Sequence, residues 1–200
     1  MENLINRQED LNLNIPKSTC VIGAGGVGTW VTIFLAQVGV QEIHVFDDDI
    51  IELHNLNRLP YSKGSVGKKK VNALKEFIAS FSESTVFPYP VKFDESHALL
   101  LLNKPDVLFE CSDDYTTQKF SCQLCRESGI PFIRLGTNAF HITITDTLPE
   151  WGEAQGGECG VVIPQWIAPQ VIVAGFGLVK ALSNKGNLFG DVRKIGGKNE

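Results

Sequence analysis

The sequence predicts a Rossmann-like, doubly wound α/β domain: a mostly parallel sheet with helices on both faces and an antiparallel extension near its C-terminal part. Three observations predict it. The short apolar run Ser18–Ile22 stops at a glycine-rich string, Gly23-Ala24-Gly25-Gly26-Val27-Gly28. Val31, Phe34, Leu35 and Val38 then fall at i, i+3, i+4 and i+7, one face of a helix, with Gly39 past its end. A second apolar strand, Glu42–Phe46, ends on Asp47. Strand, glycine loop, helix and strand within about thirty residues form the mononucleotide-binding half of a doubly wound sheet.

The remaining elements continue the alternation. Residues 1–17 are polar, end at Pro16 and read as an arm. Lys69 to Phe81 reads as a helix with Val71, Leu74 and Ile78 on one side, followed by a short, proline-broken strand at Thr85–Val91. His97–Leu102 reads as helix, Val107–Glu110 as strand, Thr116–Glu127 as helix and Pro131–Leu135 as strand. Phe140–Thr145 alternates with a period of two, the mark of an antiparallel strand with one exposed face. Residues 146–165, rich in Gly, Glu and Pro in their first part, read as a long loop. Gln170–Leu182 reads as a helix apolar nearly all round, with Ala174, Gly177 and Ala181 as a small-residue stripe for close packing. The domain is thus expected over residues 18–184, with a loosely ordered tail over 185–200.

Composition narrows the function classes. Two hundred residues, 43% hydrophobic and 20% charged, suit one globular domain with a core that needs no disulfide support. The net charge of -5 argues against nucleic acid as the main partner. Five cysteines in no repeating frame, without a signal-peptide pattern, point to a reducing, cytoplasmic setting. The uncharged span from Gly160 to Val179 carries Pro164, Pro169, Gln165 and Gln170, a poor spanning helix, so no membrane association is expected.

The glycine string satisfies G-x-G-x-x-G between a strand and a helix, where backbone amides and the helix N-terminus attract phosphate. Asp47, about twenty residues on, is placed to accept hydrogen bonds from ribose hydroxyls. By itself this does not separate a dinucleotide from ATP. The stretch Val45–Lys70 does, because after three carboxylates it brings Asn55, Asn57 and Arg58 and then Lys68, Lys69 and Lys70. Arg58 and one of the lysines would hold a triphosphate and stabilise departing pyrophosphate, although three successive lysines also suit a solvated helix start.

These residues together resemble the ubiquitin-activating-enzyme superfamily, which includes the bacterial ThiF and MoeB adenylyltransferases. Its signature runs G-x-G-G-x-G, an Asp at the second strand end, N-L-x-R, G-x-x-K, and a later Asp after an apolar strand. Here these stand as Gly23–Gly28, Asp47, Asn55-Leu56-Asn57-Arg58, Gly67–Lys70 and Asp113 in FECSDD. Two positions depart: Leu59 stands where the family usually has glutamine, and Asp114 where it usually has asparagine.

The resemblance implies adenylation of the C-terminal carboxylate of a ubiquitin-like or sulfur-carrier protein ending in glycine, with ATP and magnesium. It implies that Gly23, Gly25, Gly26 and Gly28 approach the nucleotide, that Asp47 holds the ribose, and that Asp113 binds magnesium. Asn55, Asn57, Arg58 and Lys70 would line the phosphates, with Arg58 and Lys70 catalytic. Asn6-Arg7-Gln8 resembles the family's N-terminal arm, whose arginine enters the site of the other protomer, so Arg7 is expected to act in trans within a homodimer.

Cys159-Gly160-Val161-Val162-Ile163-Pro164 resembles the C-x-x-x-x-P of shorter activating enzymes, in which the cysteine takes the acyl group as a thioester. The alternative is a loop cysteine in an enzyme that stops at the adenylate. Cys20 and Cys111 read as small core residues. Cys122 and Cys125 have CxxC spacing, but no second pair completes four ligands, so zinc is not expected. His54 reads as surface structure. A conjugating enzyme is a possible recipient of the product. Rival readings are a nicotinamide oxidoreductase, which would bind NADH and not ATP, and a non-catalytic adaptor, which would lack Arg58, Lys70 or Asp113; all three are present.

Overall fold

The computed structural model describes residues 5–101, 105–148, 164–183 and 188–191. Among the described residues, seven strands form one sheet in the order β3-β2-β1-β4-β5-β6-β7. They are β1 (Ser18–Ile22), β2 (Glu42–Phe46), β3 (Thr85–Tyr89), β4 (Val107–Glu110), β5 (Phe132–Asn138), β6 (His141–Thr145) and β7 (Leu188–Asp191). Strands β3 through β5 run parallel. β6 and β7 are each antiparallel to their predecessor, as the period-two pattern before Thr145 predicts for the first of them.

The strand residues divide alternately between two cores. Val21, Ile43, Val45, Phe109 and Ile133 join α1 (Gly26–Val38), α2 (Lys70–Ile78) and α4 (Ile167–Ser183) on one face. Cys20, Ile22, Phe46, Leu108 and Phe132 join α3 (Tyr115–Ser128) on the other through Cys125, Phe120 and Leu124. Strands buried on both faces are what βαβ crossovers require, and they explain the nearly continuous apolar runs.

Local signals set the helix ends. Gly39 adopts φ 94° and its amide donates back to Ala36 and Leu35, closing α1. The Asp114 carboxylate accepts from the Thr117 amide at 2.7 Å, starting α3, and Gly129 at φ 69° ends it. In α4 the small-residue stripe lies inward: Ala174 and Gly177 are buried, and a Cβ on Gly177 would meet Leu135 at 2.6 Å.

One expectation changes. Residues 188–191 of the expected loose tail form β7, which covers the backbone edge that β6 would otherwise leave open. In the arm, Asn6–Leu11 makes a 3-10 helix, and the Gln8 side-chain amide donates to the Val38 carbonyl at 2.7 Å, tying it to the end of α1. None of the described helices is long and apolar enough to cross a membrane.

Candidate active site

A cleft of about 630 Å³ opens at the carboxyl ends of β1, β2, β4 and β5, the crevice where ligands bind in doubly wound sheets. Gly23, Gly25, Gly26, Asp47, Asn55, Arg58, Lys70 and Asp113 all line it. Of the predicted site residues within the described chain, Gly28, Asn57 and Arg7 do not.

The glycine loop is locked to the strand ends. The Gly23 amide donates to Phe46 at 2.8 Å, and the Ala24 amide donates to the Asp47 carboxylate at 2.7 Å. Gly23 needs its positive φ of 90°, and a Cβ there would press on the Cys111 backbone at 3.0 Å. A Cβ on Gly25 would meet nothing within 4 Å, so this face of the loop is open to the cleft. Gly28 serves packing, because the loop's own Gly23 carbonyl occupies the space a side chain would need.

Asp47 is largely buried, and burial lifts its pKa above the usual carboxylate value. The charge of Lys70 and the amides of Ala24 and Asp49 oppose that rise. The three lysines separate by partner. Lys68 pairs with Glu76 at 2.7 Å, Lys69 donates to the Asp48 carbonyl, and Lys70 turns into the cleft. Its ammonium sits 2.6 Å from Asp49 and 3.9 Å from Asp47, with only 8% of the residue exposed. The placement follows from backbone pairing of 49–51 with 67–70: the Ile51 amide donates to Lys68, and the Lys70 amide to Asp49.

The N-L-x-R segment is a 3-10 helix, Leu53–Asn57, fixed by a capping box in which Asn55 accepts from the Glu52 amide at 3.1 Å. Trp30 of α1 donates to the Arg58 carbonyl at 2.9 Å and holds the segment's end. Arg58 donates to Asn57 at 3.0 Å and to the His54 carbonyl at 3.3 Å, while its buried Nε has no partner. Burial draws its pKa down from the usual value. Asn57 is therefore an orienting neighbour of Arg58, and its own amide donates to the Gln165 carbonyl at 3.0 Å. His54 pairs with Glu52 at 3.0 Å on an exposed rim.

Asp113 is exposed at the cleft, without a hydrogen bond or ion pair among the described residues. An acceptor-only carboxylate left open in this way fits magnesium, which binds through one or two carboxylates, substrate phosphates and retained waters. Asp47, Asp48 and Asp49 also cluster, but Asp47 and Asp49 are already engaged by Lys70. Among the described residues, three buried polar atoms on cleft residues lack hydrogen-bond partners: the donor Nε of Arg58, the hydroxyl of Ser112 and the acceptor Oε1 of Gln170. Unmet donors and acceptors beside an open amide loop fit a polar, phosphate-bearing ligand.

Arg7 is exposed on the arm. Cys159 and most of its loop, residues 149–163, lie outside the described residues. Cys125 belongs to the second core, where burial pushes its thiol up to about 12, and Cys122 packs against the same cluster. The cleft also holds Lys92, Gln118, Arg134 and Gln170, which motif reading did not single out. Arg134 carried a visible signal: an arginine in the middle of the apolar run Pro131–Leu135.

The ThiF family model matches residues 5–159. The chain belongs to the ThiF family. SAMP-activating enzyme E1 of Haloferax volcanii is 31% identical over 132 residues, 65% of this chain and 49% of the relative. Adenylyltransferase and sulfurtransferase UBA4 of Scheffersomyces stipitis is 31% identical over 98 residues, 48% of this chain and 22% of the relative. The chain thus spans half or less of the length of these curated relatives. Among solved structures, E. coli MccB with AMPCPP and MccA superposes with a TM-score of 0.73 at 17% identity, over 88% of this chain and 64% of MccB. That likeness shows the fold: a doubly wound ThiF-type sheet extended by antiparallel strands.

Proposed function

We propose that this ThiF-family chain uses ATP and magnesium to adenylate the C-terminal carboxylate of a ubiquitin-like or sulfur-carrier protein. The single observation that carries this is the convergence of Arg58, Lys70 and Asp113 on the open face of the glycine loop in one cleft. The activities in the relatives' names, SAMP activation and adenylyl transfer, support the same reading.

In the reaction a carboxylate oxygen bonds to the α-phosphorus of ATP, the bond from that phosphorus to the bridging oxygen breaks, and pyrophosphate leaves. Asp47 holds the ribose, and the amides around Gly25 approach the phosphates. Lys70 leaves Asp49 for the phosphates, and with Arg58 it offsets the charge that grows on the departing pyrophosphate. Asp113 would hold magnesium, which would supply charge neutralisation on the phosphates. Positioning and fixed charge account for most catalysis of this kind.

The Cys159 thiolate then attacks the acyl carbon, AMP departs, and the carrier is held as a thioester. Arg7 closes the site from the second protomer of a homodimer. A conjugating enzyme is the proposed recipient, and the cytoplasm the proposed setting. A second reading ends at the adenylate, as the sulfurtransferase relative's name favours.

Incubation with labelled pyrophosphate, ATP, magnesium and a small carrier ending in Gly-Gly gives label in ATP, and Arg58→Ala abolishes the exchange. Exchange unaffected by that substitution overturns the proposal. Run on a non-reducing gel, the same mixture without label shows a reductant-sensitive carrier adduct that Cys159→Ala removes. No adduct, or one that survives the substitution, leaves the adenylate-only reading.

A further inference from the structure

Arg134 lies on β5, opposite Glu110 of β4 and Thr145 of β6. Glu110 does not capture it. That carboxylate is fully buried and accepts instead from the Ser112 amide at 2.9 Å and the Ser121 hydroxyl at 2.5 Å. Arg134 is held by its Nε alone, which donates to the Gln118 side-chain carbonyl at 3.1 Å. Gln118, itself buried on α3, is fixed in turn by donating to the Ser112 carbonyl at 2.7 Å.

The rest of the guanidinium is turned along the strand. Both terminal nitrogens lie 4.0 Å from where a Cβ would stand on Gly136, two residues towards the carboxyl end of β5, and the side chain lines the cleft. Among the described residues neither terminal nitrogen has a hydrogen-bond partner. The result is a planar two-pronged donor with a fixed stem and free prongs, the geometry that grips a carboxylate bidentately.

Its position in the sheet separates it from the other cations. Lys70 and Arg58 come from the segment that follows β2, whereas β5 stands three strands away across β1 and β4, roughly 14 Å at ordinary strand spacing. Attack at a phosphorus is roughly in line with the leaving group, so the nucleophile enters from the side away from the pyrophosphate cations. An anion approaching a polyanion on that side needs a cation of its own.

We infer that Arg134, positioned by Gln118, is the receiving arm for the substrate carboxylate that attacks ATP. This rests on the proposed adenylation and adds the residue that brings in the acyl group. The stem belongs to the folded sheet, so the arm is present before the substrate arrives. Gln118 acts as a positioning residue.

The probe is N-acetylglycylglycine against its C-terminal amide, titrated calorimetrically into the whole chain with magnesium and a non-hydrolysable ATP analogue. The wild type binds the acid at least about tenfold more tightly than the amide, the effect of about 1.4 kcal/mol from a charge-assisted pair. Arg134→Gln binds both equally weakly, while its affinity for the nucleotide analogue stays within about twofold of the wild type, which also shows that the variant is folded. A preference for the acid that persists in Arg134→Gln, or no preference in the wild type, overturns the inference. So does a tenfold loss of nucleotide affinity in Arg134→Gln, which would make Arg134 a phosphate ligand. Failure of the wild type to bind the nucleotide at all would instead overturn the proposed function, and the carboxylate arm with it.

Discussion

Lys70→Ala lowers the carrier-dependent pyrophosphate exchange rate by about 10²–10³-fold at saturating ATP, the usual effect of removing one preorganised group that stabilises transition-state charge. Lys70 is 8% exposed and contacts the Asp49 carboxylate at 2.6 Å. Without it, Asp47 and Asp49 face an incoming triphosphate with no cation between. Asp47 also loses the charge that opposes the effect of its burial, so its pKa rises further. Neighbouring Lys68 and Lys69 do not substitute, because the first is drawn to Glu76 of α2 and the second to the Asp48 carbonyl. Steady-state exchange kinetics on the three single lysine variants check this. A Lys70→Ala rate within about threefold of the wild type would remove Lys70 from the catalytic charge set.

Gly28→Ala and Gly25→Ala are expected to fail in opposite ways. A Cβ on Gly28 would lie 1.8 Å from the Gly23 carbonyl oxygen and 2.9 Å from its carbon. Both atoms are backbone, so no side chain can rotate aside and the loop must part from α1. The cost is about 3 kcal/mol, which lowers Tm by roughly 6–12 °C in a domain of this size. Gly25 has φ -74° and an open Cβ direction, so alanine there fits the fold without strain. Its methyl instead projects into the space left for phosphate. Thermal denaturation with nucleotide titration should therefore find Gly28→Ala unstable, and Gly25→Ala as stable as the wild type but weakened for ATP. Equal Tm values for the two variants would contradict this account of the loop.

The elements whose burial is two-sided were the most legible. β1, β2 and β4 fall on the residues their apolar runs mark, because a strand covered on both faces has no freedom to be polar. The choice among Lys68, Lys69 and Lys70 was not legible from residue type or charge. It depends on the pairing of 49–51 with 67–70, a contact between segments that each look like loop. Asn57 illustrates the limit of motif transfer: it fills the variable position of N-L-x-R, and its side chain holds Arg58 and the Gln165 carbonyl. β7 was missed because four residues at a sheet edge carry too little periodicity to stand out from a tail.

The proposed function requires that the cleft take a triphosphate with its metal and not a dinucleotide. Calorimetric titration of the chain with magnesium and ATP, and separately with NADH, tests it directly. The expected result is saturable ATP binding that Arg58→Ala weakens and that NADH does not displace. Tight NADH binding, with ATP left unbound and Arg58→Ala without effect, would contradict it.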